Sequence, residues 1–371
     1  MSNALKLILV CGARPNFIKI APLIFAIEKL HRNKKQEPKI NHLLVHTGQH
    51  YDVQMSETFF RDLNIPQPDY NLEVGSGSHA VQTAEIIMRF EKVCLQEKPD
   101  WIIVVGDVNS TMACAIVASK LKIKVAHVEA GLRSFDREMP EEINRIVTDA
   151  LADLLLTPSK DADENLLREG VNKSKIKFVG NIMIDTLHTN LEKARSLRSH
   201  TKYNLKEKGY VFVTLHRPSN VDDKKSLTVI MKQLIELSRK VPVIFPMHPR
   251  TRKNLVAFDL QEKITKTRNM IITNPVGYHE AIGLVDASAF VLTDSGGLQE
   301  ETTVLGVPCL TLRPNTERPV TITIGTNKLT TLKMLNEDLA ALLAGKHKKG
   351  GIPALWDGHT AERIIRIIVQ Y

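Results

Sequence analysis

Short β-branched and aliphatic runs alternate with longer segments of helical period along most of the chain, and few folds accommodate that alternation. LKLILVCG (5–12) precedes a helical stretch over 17–30. NHLLVHTG leads to the helical HAVQTAEIIMRFEKVCLQEK, WIIVVGD to TMACAIVASKLK, and KVAHVEAG to PEEINRIVTDALAD, with LLLTPS after it. The β runs are apolar throughout, as strands buried on both faces are. Such a βαβα series predicts an α/β fold with a mostly parallel, doubly wound sheet covered by helices on both faces.

The pattern pauses over 181–209, a polar and charged stretch ending in Gly209. It restarts with YVFVTLH, a helix over 224–240, VPVIFPMH, MIITNP, a helix from Tyr278, AFVLTDSGG, a helix from Leu298, and VPCLTLR. A chain of 371 residues exceeds what one core usually supports, so two α/β halves are expected, at 1–180 and 181–357, with a ligand cleft between them. The last helical stretch, HTAERIIRIIVQ, suits either half.

Composition narrows the functions. No run approaches the 18 or so apolar residues that span a bilayer. The first apolar run lacks the basic flank and small-residue cleavage site of a signal peptide. Cys11, Cys94, Cys114 and Cys309 stand alone in apolar segments without metal-type spacing, which suits buried reduced thiols in a cytosolic protein. The formal charge of +9 is spread along the chain, apart from the short cluster GKHKKGG, and no nucleic-acid-binding motif accompanies it. A phosphorylated small molecule is the partner that this balance fits best.

Ligands of open parallel sheets bind at the carboxyl ends of strands. Seven apolar runs here end in reactive side chains or glycines: Ala13-Arg14-Pro15, His46 with Gln49 and His50, Asp107, Glu129, His216-Arg217, His248, and Ser295-Gly296-Gly297. The glycine pair opens a helix, where bare backbone N–H groups and about half a positive charge suit a phosphate. Glu300 and Glu301, placed in the first helical turn, suit a ribose diol. Arg14, Lys19, His248 and Arg318 are further phosphate candidates. His46 and His50 have the i, i+4 spacing of a zinc helix, but Gly48 and the preceding strand argue against a helix, so no metal is expected. GSGSHA (75–80) lacks the third glycine and ribose-reading acid of a dinucleotide fingerprint, and no P-loop occurs, so no nicotinamide cofactor is expected.

GARPNFIKIAPL, HTGQH, VVGDVNST, HVEAGLRS, MPEEINR, TLHRPSN, LTDSGGLQEE, NTERP, GTNKL and WDGHTAERI resemble, in order and spacing, the non-hydrolysing UDP-N-acetylglucosamine 2-epimerases over nearly the whole chain. The resemblance implies a GT-B architecture of two Rossmann-like domains with the active site between them, the terminal helix (358–371) returning to the first. It implies a cytoplasmic homodimer that interconverts UDP-N-acetylglucosamine and UDP-N-acetylmannosamine for surface polysaccharides, with no cofactor. By motif, Asp107, Glu129, Glu141 and His216 correspond to acid/base residues. Arg14, His248, Ser295, Gly296, Gly297, Glu301 and Arg318 correspond to nucleotide-diphosphate contacts, with Glu301 on the ribose. Lys19 and Arg145 match residues near the catalytic centre, and Gln49 joins the substrate-binding set.

The chemistry accounts for the carboxylates crowded into VEAGLRSFDREMPEEINR. The C2 hydrogen of a 2-acetamido sugar has no adjacent carbonyl, so elimination of UDP to a glycal, then re-addition, is the remaining route. It needs a cationic cradle for departing UDP, carboxylates near the electron-poor sugar, and acid/base groups for both faces of C2. Carboxylates packed together would also raise one another's pKa. Asp136, Glu138 and Glu142 suit loop salt bridges or helix N-terminal charges equally well, and Glu141 suits a helix start. Two departures from the family stand out. Pro218-Ser219-Asn220 replaces a frequent Arg-Glu-Asn run, and VGSGSHAVQT differs from a segment that binds an activating second substrate. These argue against allosteric activation and keep a 2,3-diacetamido or uronic-acid substrate open. A hydrolysing epimerase that releases N-acetylmannosamine and a non-catalytic nucleotide-sugar-binding protein stay open as well.

Overall fold

The computed structural model describes residues 4–32, 39–49 and 62–371, and Arg14 by its backbone alone. The chain divides into two compact units, Met1–His188 with Ala354–Tyr371, and Thr189–Pro353. Each is a doubly wound, Rossmann-like parallel sheet.

In the first unit the strands are β1 (Leu5–Cys11), β2 (Ile40–His46), β3 (Tyr70–Asn71), β4 (Trp101–Val105), β5 (Lys124–Val128), β6 (Leu154–Thr157) and β7 (Ile176–Phe178). Their order across the sheet is β3-β2-β1-β4-β5-β6-β7. β1 pairs β2 in register from Leu5 with Ile40 to Cys11 with His46, and β4 on its other side. Ile8, Val10, Ile102 and Val104 lie in one core cluster with Ile86, Phe90 and Cys114 from the covering helices His79–Glu97 and Asn109–Lys120.

The second unit holds β8 (Val211–Thr214), β9 (Val243–Pro246), β10 (Met270–Thr273), β11 (Phe290–Thr293), β12 (Cys309–Leu312) and β13 (Asn327–Thr330), in the order β10-β9-β8-β11-β12-β13. Val211, Val213, Phe245 and Leu292 pack on one side, whereas Phe212, Ile244 and Val291 belong to a second cluster. Burial on both faces explains why these strands read as unbroken apolar runs. In each unit the chain reverses its direction of winding beside the first strand, between β1 and β4 and between β8 and β11. Such switch points are where open α/β sheets hold ligands.

The polar stretch 181–209 is largely helical. Ile182–Ser196 forms a 15-residue helix and Ser199–Tyr203 a 3₁₀ turn. Residues 182–187 are buried in succession, with Ala194 further on, so the burial gathers in the first turns ahead of the charged residues. The four cysteines are free and buried, and burial pushes the Cys309 thiol up to about 11.

The returning segment 354–371 is tied into the first unit at several points. Asp185 accepts from the Thr360 and Ala361 N–H groups at 3.0 and 2.7 Å, and Trp356 donates to the Pro158 carbonyl at 2.9 Å. Gly180, at φ +91°, sits against the Leu355 carbonyl, 2.1 Å from where a Cβ would stand. Gly170 has a similar φ of +84° with nothing within 4 Å of that position. Gly170→Ala is therefore expected to cost only the left-handed strain, about 1–2 kcal/mol. Gly180→Ala adds a backbone clash and should cost more than about 3 kcal/mol. Thermal or urea unfolding of the two variants checks this, and equal losses would dismiss the contact.

Candidate active site

In the first unit the chemistry-bearing residues follow β1, β2, β4 and β5. β5 ends at Val128, and Glu129 immediately adopts a left-handed backbone, φ +74°, with its N–H on the Leu156 carbonyl at 3.0 Å. A non-glycine residue there costs about 1–2 kcal/mol, so its surroundings must hold it. Its buried carboxylate pairs with buried Lys19, which the helix Arg14–Arg32 carries. The same helix is seated by Asn16, which accepts from Gly12 and Ala13 N–H groups and donates to the Val105 carbonyl at 2.9 Å.

Asp107 follows β4 and keeps a quarter of its side chain exposed. Its carboxylate is paired with Arg145, whose guanidinium also reaches Glu142 at 2.6 Å. Asn144 donates to the Asp107 carbonyl at 2.9 Å. Arg145 and Asn144 lie on the helix Pro140–Leu151, which begins at Pro140, a residue that needs no N–H there.

The crowded carboxylates of 129–142 separate into different jobs. Glu142 is buried and fastens the preceding loop, accepting from Ser134 N–H, Ser134 Oγ and Phe135 N–H at 2.9, 3.0 and 2.9 Å. Burial alone would raise its pKa. The Ser134 N–H, Arg145 and the Phe135 N–H outweigh that and hold it below the usual carboxylate range. Asp136 accepts from the Glu138 N–H, and Glu141 is exposed at the helix start. For Glu142 the expectation that these acids raise one another's pKa is therefore corrected, because its cation and N–H donors prevail. Glu129 and Asp107 each adjoin a cation as well.

After β2, Gln49 is buried, and its amide oxygen accepts from the Ser110 N–H and hydroxyl at 3.2 and 2.7 Å. His46 ends β2 beside the Phe17 ring. His50 lies outside the described residues, as does the Arg14 side chain. Of GSGSHA, Ser78 caps the helix His79–Glu97 by accepting from the Val81 N–H at 3.3 Å.

In the second unit, His216 follows β8 and its Nδ1 lies 3.0 Å from Oδ1 of Asp294, with 39% of the side chain exposed. Asp294 is fully buried at the end of β11. It also accepts from the Arg217 N–H at 2.9 Å and Asn220 Nδ2 at 3.1 Å. Burial would push Asp294 up; the hydrogen bond and charge of His216, then Arg217 N–H and Asn220, hold it below its ordinary value. A carboxylate that orients an imidazole in this way leaves the other ring nitrogen free to exchange a proton. Sequence reasoning misses this aspartate because the adjacent glycine pair draws the phosphate assignment; its position at the strand end is the available signal.

The His248 ring lies 5.5 Å from that of His216. His248 caps the helix Pro249–Ala257, with Nδ1 accepting from the Arg250 N–H at 3.2 Å. Ser295 is the cap residue of the helix Gly296–Leu305, but its side chain makes no cap bond to the first turn. A Cβ at Gly296 would stand 2.8 Å from Arg318 Nη1, so glycine lets this guanidinium lie against the helix start. Arg318 is buried and engaged by Glu300 at 2.8 Å and by Glu317. Glu300 and Glu301 lie in the second turn of this helix, because it begins at Gly296 rather than Leu298; the first-turn assignment is corrected accordingly. Burial first, and then the adjacent Glu301 carboxylate, push the Tyr278 phenol well above its ordinary pKa.

The first unit thus brings Lys19 to Glu129 and Arg145 to Asp107. The second brings together His216 and His248, and sets Arg318 against Gly296. The family model for UDP-N-acetylglucosamine 2-epimerase matches residues 32–369. A UDP-N-acetylglucosamine 2-epimerase of Methanocaldococcus jannaschii is 44% identical over 370 residues, 98% of this chain and 99% of its own. A UDP-2,3-diacetamido-2,3-dideoxy-D-glucuronate 2-epimerase of Pseudomonas aeruginosa is 42% identical over 328 residues, 88% of each chain. The crystal structure of the Methanocaldococcus jannaschii UDP-GlcNAc 2-epimerase in complex with UDP-GlcNAc and UDP matches with a TM-score of 0.90. It is 43% identical and covers 99% of this chain and 100% of that one. Agreement in sequence and fold over almost the full length places this chain in the UDP-N-acetylglucosamine 2-epimerase family.

Proposed function

We propose that the chain is an isomerase, a non-hydrolysing UDP-N-acetylglucosamine 2-epimerase that makes UDP-N-acetylmannosamine for surface polysaccharides. The observation that carries the mechanism is the pair of acid-bearing strand ends, Asp107 with Arg145 and Glu129 with Lys19. In the forward direction the C1–O bond breaks and its electron pair leaves with UDP. A base removes the C2 proton, and the C1–C2 double bond of a 2-acetamidoglucal forms. Return of a proton to the opposite face of C2 and re-addition of UDP at C1 complete the epimerisation.

Asp107, Glu129, Glu141 and His216 are the acid/base groups in this proposal. The charges of Lys19 and Arg145 balance those of Glu129 and Asp107, which accept a proton and stabilise positive charge at C1. The Ser295-Gly296-Gly297 helix start, with His248, Arg14 and Arg318, receives the diphosphate, and Glu301 the ribose. The preorganised N–H groups and cations would stabilise the charge that UDP gains as it leaves. Gln49, which accepts from the Ser110 N–H and hydroxyl, is a further substrate-binding residue in this proposal. We place the enzyme in the cytoplasm as a homodimer without a cofactor. Among the described residues, no helix is long and apolar enough to cross a membrane.

The Pseudomonas aeruginosa relative supports a second reading, a 2,3-diacetamido uronic-acid substrate, which Pro218-Ser219-Asn220 keeps in view. Incubation of the enzyme with each UDP-2-acetamido sugar in deuterated water separates the readings. UDP-N-acetylglucosamine is expected to give both epimers with deuterium at C2. Unlabelled sugar would exclude elimination, and free sugar as the main product would indicate a hydrolase.

Asp107→Asn and Glu129→Gln are each expected to lower kcat by at least about 10²-fold, the usual scale for removing a general acid or base. UDP affinity should persist, measured by calorimetry. Unchanged turnover in both would assign these acids to structure alone. Asp294→Asn tests the His216 arrangement through stability. The native pKa of Asp294 is depressed, so its contribution is present above the unfolded value, about 4, and is lost as pH falls through the folded one. The gap in unfolding free energy between wild type and variant should narrow as pH falls from about 5 to below about 4. A gap that instead widens in acid would reverse the sign assigned here.

A further inference from the structure

One buried titratable cluster has no part in the chemistry above. His127 lies on β5 with its ring fully enclosed. Its Nδ1 is 2.6 Å from Asp149 Oδ1, and its Nε2 is 2.8 Å from the Gly106 carbonyl oxygen. The imidazole thus bridges the carboxylate and the backbone carbonyl. Asp149 is enclosed as well. Its other oxygen lies 2.7 Å from Arg133 Nη1 and accepts from the Gly131 N–H at 3.1 Å. Arg133 then grips Glu169 with a two-pronged bond of 2.7 and 2.6 Å.

The backbone groups at the ends of this chain of bonds are informative. Gly106 is the residue before Asp107, and its own N–H donates to the Val128 carbonyl, beside Glu129, at 3.0 Å. Gly131 lies two residues beyond Glu129. Gly106, Glu129 and Gly131 all have left-handed backbones, φ +68°, +74° and +80°. The imidazole holds the turn that presents Asp107, and the carboxylate holds the turn that presents Glu129. Buried ion pairs are a poor source of stability, since desolvation offsets most of the attraction and apolar packing serves as well. Two acid-bearing turns fixed against each other are something that apolar packing does not supply.

We infer that His127 and Asp149 are positioning residues for the epimerisation, setting the separation of the Asp107 and Glu129 turns through the Gly106 carbonyl and the Gly131 N–H. The inference rests on the epimerase function proposed above. Neither side chain touches the substrate; both act through backbone. A displacement of about 1 Å at a reacting group costs on the order of 10²-fold in rate. Loss of positioning should therefore lower kcat and leave KM nearly unchanged, because binding energy common to ground and transition states is untouched.

The test compares wild type, His127→Gln and Asp149→Asn. The second is isosteric and retains an acceptor for the Gly131 N–H, so it reports even if the first folds poorly. Turnover of UDP-N-acetylglucosamine is normalised to the fraction of molecules that bind UDP by calorimetry, and C2 deuteration is followed in parallel. A fall in kcat of about tenfold or more in Asp149→Asn, with KM and UDP affinity within about threefold of wild type, is expected. Deuterium incorporation should slow by the same factor. A normalised kcat within about twofold of wild type would overturn the inference, whatever the loss of melting temperature, as would a loss expressed only in KM. If wild type itself exchanges no deuterium, the proposed epimerase reaction fails instead, and the two failures are distinct.

Discussion

A carboxylate taken out of water survives at a strand end only where a cation or backbone N–H groups replace the water it gives up. That constraint organises both units. Glu129 has Lys19, Asp107 and Glu142 share Arg145, Asp149 has His127 and Arg133, and Asp294 has His216 with two further donors. Each partnership also fixes a piece of backbone. Glu142 fastens the loop at Ser134 and Phe135, Asp149 the turn at Gly131, and Asp294 the chain after β8. Neutralisation and orientation are thus the same bonds, and the reactive geometry follows from the requirement to bury charge safely.

The parallel sheets decide where these bonds are made. Every crossover returns the chain so that all strands of a sheet end on one edge, and that edge collects side chains far apart in sequence. His216 meets Asp294 because β8 and β11 are neighbours at a switch point, and Lys19, on the helix after β1, reaches past the end of β4 to Glu129 at the end of β5. Helices that start at those ends point their N–H groups the same way. A strained residue such as Glu129 is stable there because the β6 backbone, through the Leu156 carbonyl, receives its N–H.

Much of this is legible in the residues. Strands buried on both faces read as unbroken apolar runs, and their polar terminations name all seven strand ends. Less legible is anything that depends on which neighbour a side chain meets. Glu141 and Glu142 are adjacent and identical in type, yet one is exposed and the other clasps a loop, a difference set by the helix turning about 100° per residue. The helix Ile182–Ser196 hides among charges because its buried residues gather in the first turns and charged ones fill the rest. The pattern alone starts the next-to-glycine helix at Leu298, two residues late, since glycine reads as a loop residue, and that displaces Glu300 and Glu301 by half a turn. His127 and Asp149 are invisible as a class: a buried polar residue on a strand or helix looks like any other until its partners are known.

Burial itself sorts the acids by role. Glu142, Asp149 and Asp294 are almost wholly enclosed and have several donors each, so their lone pairs are committed and their charge is fixed. Such groups are suited to holding other groups still. Asp107 and Glu141 keep solvent access, which suits the proton exchange proposed for them. Glu129 departs from this rule, being enclosed and ion-paired on a strained backbone. Strain of that kind persists when the surroundings over-determine it, and it gathers where function fixes a geometry that folding alone would relax. One of its partners is Lys19, a point charge on a flexible stem rather than a forked guanidinium. In the elimination proposed here, this fixed carboxylate is the group set to face the electron-poor sugar ring.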